Sequence, residues 1–180
     1  YEVTVRDFKL CETSQTIILI APTPIDATYV VANANLLCYN ATNGSVTITA
    51  TGGQGSYQYT LTDSNGGITG PQIENIFDNL GAGTYTVFVE DGWNCNFTTL
   101  PFTITEPTQI GATLSVQSTL TCLNNAQLII TATGGTPPYQ YSTNGTTFNS
   151  VNTFSVGPGT YQYYVTDSNN CTAVITNQVI

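Results

Sequence analysis

The 180 residues carry eleven acidic side chains, two basic ones and no histidine, for a net charge of −9, yet 41% of them are apolar. That apolar share is enough for packed cores, while the near absence of Lys and Arg excludes a surface for phosphate backbones and so nucleic acid. There is no run of 18 apolar residues to insert in a membrane as a helix, and without His neither a Ser–His nor a Cys–His catalytic pair can be assembled.

The first stretch, "YEVTVRDFKLC" at 1–11, reads as a strand, an Asp-headed turn and a cysteine. In "SVTITAT" the side chains of Val46, Ile48 and Ala50 leave one face and those of Thr47, Thr49 and Thr51 the other. This period of two marks a half-buried strand, labelled B. "GG" at 52–53 follows, then strand C with Tyr57, Tyr59 and Leu61 inward, and the turn Ser64-Asn65-Gly66-Gly67. Strand F carries Tyr85, Val87 and Val89 inward and ends at the Asp91-Gly92 turn and Cys95. Glycine in such turns permits positive φ without a Cβ clash. Leu128 and Ile130 then begin a second B strand, Tyr139 and Tyr141 a second C, and Tyr161, Tyr163 and Val165 a second F. No segment shows a 3.6-residue apolar stripe of helical length.

The elements repeat. A shift of 84 lays Tyr1, Val3, Val5, Asp7 and Cys11 on Tyr85, Val87, Val89, Asp91 and Cys95, and a shift of 160 lays them on Tyr161, Tyr163, Val165, Asp167 and Cys171. "ATGGQGSYQYT" at 50–60 matches "ATGGTPPYQYS" at 132–142, Cys38 matches Cys122, and the joins "IAPTPI" and "ITEPTQI" match each other. The expected organisation is the C-terminal strands of one repeat (1–22), a repeat over 23–107 and a second over 108–180, so that the chain opens part-way through a unit. About seven short strands per unit predict an all-β chain of tandem immunoglobulin/fibronectin III-like β-sandwiches arranged end to end. Short proline-bearing joins make such an array a semi-rigid rod.

The pattern of a cysteine, a B strand ending in "GG", then "PYQYS" and "GPGTYQYYVTDSNNC", resembles the SprB-type repeats of Bacteroidota surface proteins. Repeat 1 departs from it with "GSYQY" and a longer middle section. The resemblance implies a segment of a large cell-surface adhesin filament, exported by the type IX secretion system and connected with gliding motility. It implies an extracellular location, neighbouring repeats of the same long chain as partners, and no cofactor.

An exported chain favours disulfides, and five cysteines without His or a CxxC pair do not make a zinc site. Two pairings of Cys38, Cys95, Cys122 and Cys171 stand open, with the partner of Cys11 outside the chain. One is intradomain, Cys38–Cys95 and Cys122–Cys171. In an immunoglobulin-like topology those cysteines sit at opposite ends of strands that run the same way, roughly 24 Å apart, whereas a disulfide needs Cα atoms within about 7 Å. The other is staggered, Cys38–Cys171 across the join, leaving Cys95 and Cys122 to further repeats. No metal site is expected, since Asp63, Asp91 and Asp167 read as turn heads capping their own backbone rather than calcium ligands. Tyr85 and Tyr161, after "GxGT", read as tyrosine corners. Trp93, alone at a turn tip, is a contact either for a sugar face or for the neighbouring domain.

Acids fall differently in the two repeats and almost vanish in the second, so a glycosidase carboxylate pair is not expected. The reading is a non-catalytic, semi-rigid stalk within an adhesin. The alternatives are a carbohydrate-binding module gripping neutral surface polysaccharide, or spacer domains of a secreted glycan-degrading enzyme.

Overall fold

The computed structural model describes residues 1–179, with the side chains of residues 1–176. Every regular element among them is a strand. β1 (Glu2–Arg6) and β2 (Glu12–Thr16) form an antiparallel hairpin by themselves. The first sandwich packs the sheet β3 (Asp26–Ala32), β4 (Gly44–Thr51) and β7 (Ile76–Leu80) against a second sheet. That second sheet holds β5 (Gln58–Asp63), β6 (Ile68–Gln72), β8 (Gly83–Glu90), β9 (Asn96–Thr98) and β10 (Phe102–Ile104). The second sandwich packs β11 (Gly111–Ser118), β12 (Ala126–Thr133) and β14 (Thr153–Val156) against β13 (Gln140–Ser142), β15 (Gly159–Thr166) and β16 (Thr172–Val179). In immunoglobulin lettering, A (β3, β11), B (β4, β12) and E (β7, β14) thus lie in one sheet, and C (β5, β13), F (β8, β15) and G (β9 with β10, β16) in the other. The all-β, immunoglobulin/fibronectin III-like reading holds.

The alternation fixes which face packs. Val46 and Ile48 of β4 meet Leu61, Val87, Val89 and Ile104 of the facing sheet in one core, while Leu128 and Ile130 of β12 meet Tyr163 and Val165 in another. Each fully buried aliphatic side chain contributes about 1.5–3 kcal/mol over its exposed state, so removing the alternation removes the fold. Tyr163 is a partial exception. Its ring is wholly buried and its hydroxyl has no hydrogen-bond partner among the described residues, and burial pushes its pKa up. Repeat 1 differs mainly through β6, which follows the Ser64–Gly67 turn and gives it an additional strand beside β5. Its last strand is also broken in two, and Thr99 covers the break by donating its N–H to the Val87 carbonyl and accepting the Val87 N–H on its hydroxyl.

The leading hairpin has the F-strand sequence without the facing sheet. Val3 and Val5 are 49% and 63% exposed, whereas their counterparts Val87 and Val89 are fully buried. Ile18 and Ile20, which correspond to the buried Phe102 and Ile104, are exposed as well.

Candidate functional site at the junction between the repeats

The motifs that the chain writes more than once meet in space at one end of each sandwich. The hairpin headed by an aspartate is the first of them. Asp91 donates its N–H to the Cys95 carbonyl, accepts the Asn94 N–H on its own carbonyl, and accepts the N–H groups of Trp93 and Cys95 on Oδ1, at 2.8 and 2.9 Å. Asp167 repeats all four bonds with Cys171, Asn170, Asn169 and Cys171. Asp7 repeats them with Cys11, Leu10, Lys9 and Cys11. The residue before each cysteine (Leu10, Asn94, Asn170) has φ between 60° and 71°, a conformation that asparagine tolerates better than most residues. Asp63 heads the same turn with Gly67 in place of cysteine.

The second oxygen separates the buried pair from the exposed ones. Oδ2 of Asp91 accepts the Gln54 N–H at 2.8 Å, and Oδ2 of Asp167 accepts the Thr136 N–H at 2.8 Å. These donors follow the double glycines 52–53 and 134–135, all four of which have positive φ. The glycine loop also holds the incoming join, since Gly53 N–H donates to Thr23 and Gly135 N–H to Thr108. From strand C, the Tyr57 hydroxyl donates to the Gly52 carbonyl and the Tyr139 hydroxyl to the Gly134 carbonyl. "ATGG", "YQY" and the Asp–Cys hairpin are therefore three sides of one corner. Turn capping alone, the reading for Asp91 and Asp167, omits half of each carboxylate's work. Tyr85 and Tyr161 form the expected corners, their hydroxyls donating to Gly81 and Gly157 at 3.0 and 3.3 Å.

Asp91's carboxyl lies below its ordinary range, chiefly because the Gln54 N–H donates to it; burial opposes this, and the Trp93 and Cys95 N–H groups add to it. A carboxylate whose folded pKa is depressed contributes stability above its unfolded value, about pH 4, and loses that contribution as pH falls through the folded value. Thermal unfolding of repeat 1, read from the Trp93 signal, is expected to show a midpoint that declines below about pH 4. In Asp91→Asn that acid slope should flatten. An unchanged slope would place the acid sensitivity elsewhere.

The corner of repeat 2 faces the A–B loop of repeat 1, and there Cys38 is bonded to Cys171, with Cα atoms 5.6 Å apart. This is the staggered pairing. Neither intradomain pair forms, and Cys95 and Cys122 are exposed free thiols, as is Cys11. The reason is positional: within a sandwich the A–B loop and the F–G hairpin lie at opposite ends, and only the neighbouring sandwich brings their cysteines together. The join is held by more than sulfur. Asn169 Nδ2 donates to the Leu37 carbonyl at 3.1 Å, Asn40 N–H donates to the Glu106 carboxylate, and Leu36 N–H and Thr105 N–H cross between the A–B loop and the end of β10 at 2.8 Å each. Beside the bridge lies an open cleft of about 350 Å³, with Tyr39 and Asn40 on one side and Pro107, Ile110 and Asn170 on the other.

Trp93 is 61% exposed at the tip of its hairpin and occupies the position that Asn169 occupies against repeat 1. Asn169, Thr136, Glu106 and the double glycines are the junction residues that site-by-site reading passed over. The signal available for the glycines was the verbatim repetition of "ATGG", whereas Asn169 and Thr136 stand where repeat 1 has Trp93 and Gln54. Among the described residues no group of three or more Cys, Asp or Glu side chains converges as a metal site, and no helix is long and apolar enough to cross a membrane.

The geometry defines a class first: tandem immunoglobulin-like sandwiches, each locked to the next through a built corner and, here, a disulfide. The SprB repeat profile matches residues 31–66 and 114–148, one segment in each sandwich. Repeats of this kind occur in surface proteins, and both the repeat and the fold are non-catalytic domain types. No curated protein matches the chain. Among solved structures it is similar to three N-terminal domains of the outer capsid protein Hoc of bacteriophage RB49, at 17% identity and TM-score 0.37, covering 88% of this chain and 58% of that one. It is similar also to a C-terminal fragment of intimin in complex with the intimin-binding domain of its translocated receptor, at 15% identity and TM-score 0.42, covering 89% and 64%. A third is the N-terminal four immunoglobulin domains of Dscam1 isoform 6.44, at 13% and 0.36, covering 96% and 51%. The chain thus spans between half and two thirds of these structures.

Proposed function

We propose that this chain is a length of semi-rigid stalk in a secreted cell-surface adhesin of the gliding-motility type, without catalytic activity. The observation that carries the reading is the Cys38–Cys171 bridge with its surrounding hydrogen bonds. A covalent link across the join at a point away from the backbone connection restricts bending and twisting between the sandwiches, which a stalk needs and a flexible spacer does not.

The same reading assigns partners to the remaining thiols. Cys95 and Cys11 stand on hairpins bonded as the Cys171 hairpin is, and Cys122 stands on the counterpart of the Cys38 loop. Each is then half of a further junction with another repeat of this kind. Leu123, which follows Cys122 and corresponds to Tyr39 of the cleft, is 91% exposed, as befits a residue whose cover is that next repeat. Trp93 packs in the same way on the repeat before it, and the open face of the β1–β2 hairpin is completed by the other strands of a third sandwich. Each new bridge forms by exchange with a disulfide oxidant, two thiols giving up two protons and two electrons as the oxidant's S–S bond is reduced.

Small-angle scattering of the 180-residue chain tests the stalk. The oxidised protein is expected to fit one elongated shape and the reduced protein a broader ensemble of inter-sandwich angles. Identical profiles would remove the rigidity on which the reading stands. A polysaccharide pull-down that succeeds and is lost in Trp93→Ala would favour the carbohydrate-binding alternative, which the exposed indole makes a specific rival.

A further inference from the structure

We infer that the Cys38–Cys171 bridge is a tension by-pass, which takes the bulk of both sandwiches out of the path along which a pulling force travels. The argument is one of connectivity. Cys38 lies just after β3, and Cys171 lies just before β16. Force applied at the two ends of the chain runs along Tyr1–Cys38, across the sulfurs, and along Cys171–Ile180, which are 38 and 10 residues. β4 to β15, which hold nearly all of both cores, sit in the loop that the bridge closes. Only β1, β2, β3 and β16 can be peeled away. Without the bridge the single covalent path is the whole chain, and every strand must give way before the molecule is fully drawn out.

A regularity in the sequence agrees with this division. From a hairpin cysteine to the next loop cysteine, Cys11 to Cys38 and Cys95 to Cys122, the separation is 27 residues both times. From a loop cysteine to the hairpin cysteine of its own sandwich, Cys38 to Cys95 and Cys122 to Cys171, it is 57 and 49. In this chain the first constant segment lies on the tensile path, and the second lies with both variable ones in the loop that the bridge closes; in an array bridged at every join both constant segments would lie on the path. In an array bridged at every join, which rests on the stalk reading above, tension divides between two covalent threads. Each runs from a hairpin cysteine through strand G, the join and strand A to a loop cysteine, then crosses to the following sandwich. Two threads share a load only when their lengths match, because the shorter one goes taut first. Equal 27-residue segments meet that condition, and insertions such as β6 are tolerated because they fall off the path.

Single-molecule stretching of the 180-residue chain, held by its ends and carrying Cys11→Ser, Cys95→Ser and Cys122→Ser at the exposed thiols, tests the by-pass. A fully drawn chain spans at most ~3.3–3.6 Å per residue, so the oxidised protein is expected to stop at roughly 160–170 Å and the reduced protein at roughly 590–650 Å, about a fourfold difference. Adding Cys38→Ser should give the long value without reductant. An oxidised chain that draws out to the reduced length overturns the proposal. Because this readout concerns one chain and its contour length, it stands or falls separately from the bending rigidity tested by scattering.

Discussion

Asp167→Ala is expected to destabilise repeat 2 by about 3–5 kcal/mol, far beyond the usual cost of losing a turn cap. The carboxylate accepts three backbone N–H groups, from Asn169 and Cys171 at 2.9 Å on one oxygen and from Thr136 at 2.8 Å on the other, in a buried position. A hydrogen bond to a charged acceptor contributes roughly 1.5–3 kcal/mol, and donors left buried without a partner cost about 1–3 kcal/mol each. Water entering the vacated space recovers part of that, which is why the expected loss is below the full sum. Asp63→Ala is the internal control. Its two N–H donors, on Asn65 and Gly67, belong to an exposed turn, so water replaces the carboxylate and the cost should be about 1 kcal/mol or less. Amide hydrogen exchange along β12 and β15 measures the loss where it occurs. Asp167→Ala should also raise the fraction of free Cys38 thiol, because the N–H bond that fixes Cys171 in its hairpin is gone. Equal effects at Asp63 and Asp167 would mean that the corner holds nothing together.

The contrast between these two aspartates shows what the sequence made legible. Both head the same kind of turn, and the Asp–x–x–x–Cys/Gly spacing announces it, because those bonds close within four residues. Strand faces were legible for the same local reason: Val46 and Ile48 alternate with threonine, Leu128 and Ile130 with Gln127, Ile129 and Thr131, and all four inward residues are fully buried. What joins Asp167 to Thr136 spans 31 residues, and what joins Cys171 to Cys38 spans 133. Such contacts depend on how strands are ordered in a sheet and how one sandwich stands on another, and no local period encodes either. The intradomain pairing could be doubted from topology alone. Choosing the staggered one required the placement of two bodies. Yet part of the information was present in another form, since the double glycine of "ATGG", the hairpin aspartate and the cysteines recur in both units and help build the junction.

Gly134→Ala is expected to be the most damaging single-methyl change at that junction, at about 2–5 kcal/mol. Two costs combine. With φ at +66°, an L residue in the left-handed region loses roughly 1–2 kcal/mol. A Cβ there would lie 2.0 Å from the Gln109 carbonyl oxygen, so the join itself must shift, and overpacking of that kind costs about 1–3 kcal/mol. The join cannot shift freely, because Thr108 is tied to Gly135 and Ile110 is buried in the core of repeat 2. Gly55→Ala separates the two costs: its φ is +84° but nothing lies within 4 Å of the added carbon, so only the backbone part, about 1–2 kcal/mol, should be lost. Urea unfolding of the two variants measures the difference. It should exceed about 1 kcal/mol, and a difference near zero would show that the double glycine serves only its own turn and does not clamp the join. A glycine loop that clamps also explains why both units keep two adjacent glycines. The first admits the carbonyl of the incoming chain, and the second admits the aspartate oxygen, which a Cβ on Gly135 would approach to 2.6 Å. The hairpin, the join and the disulfide are then positioned by the same two residues, so displacing either glycine disturbs all three.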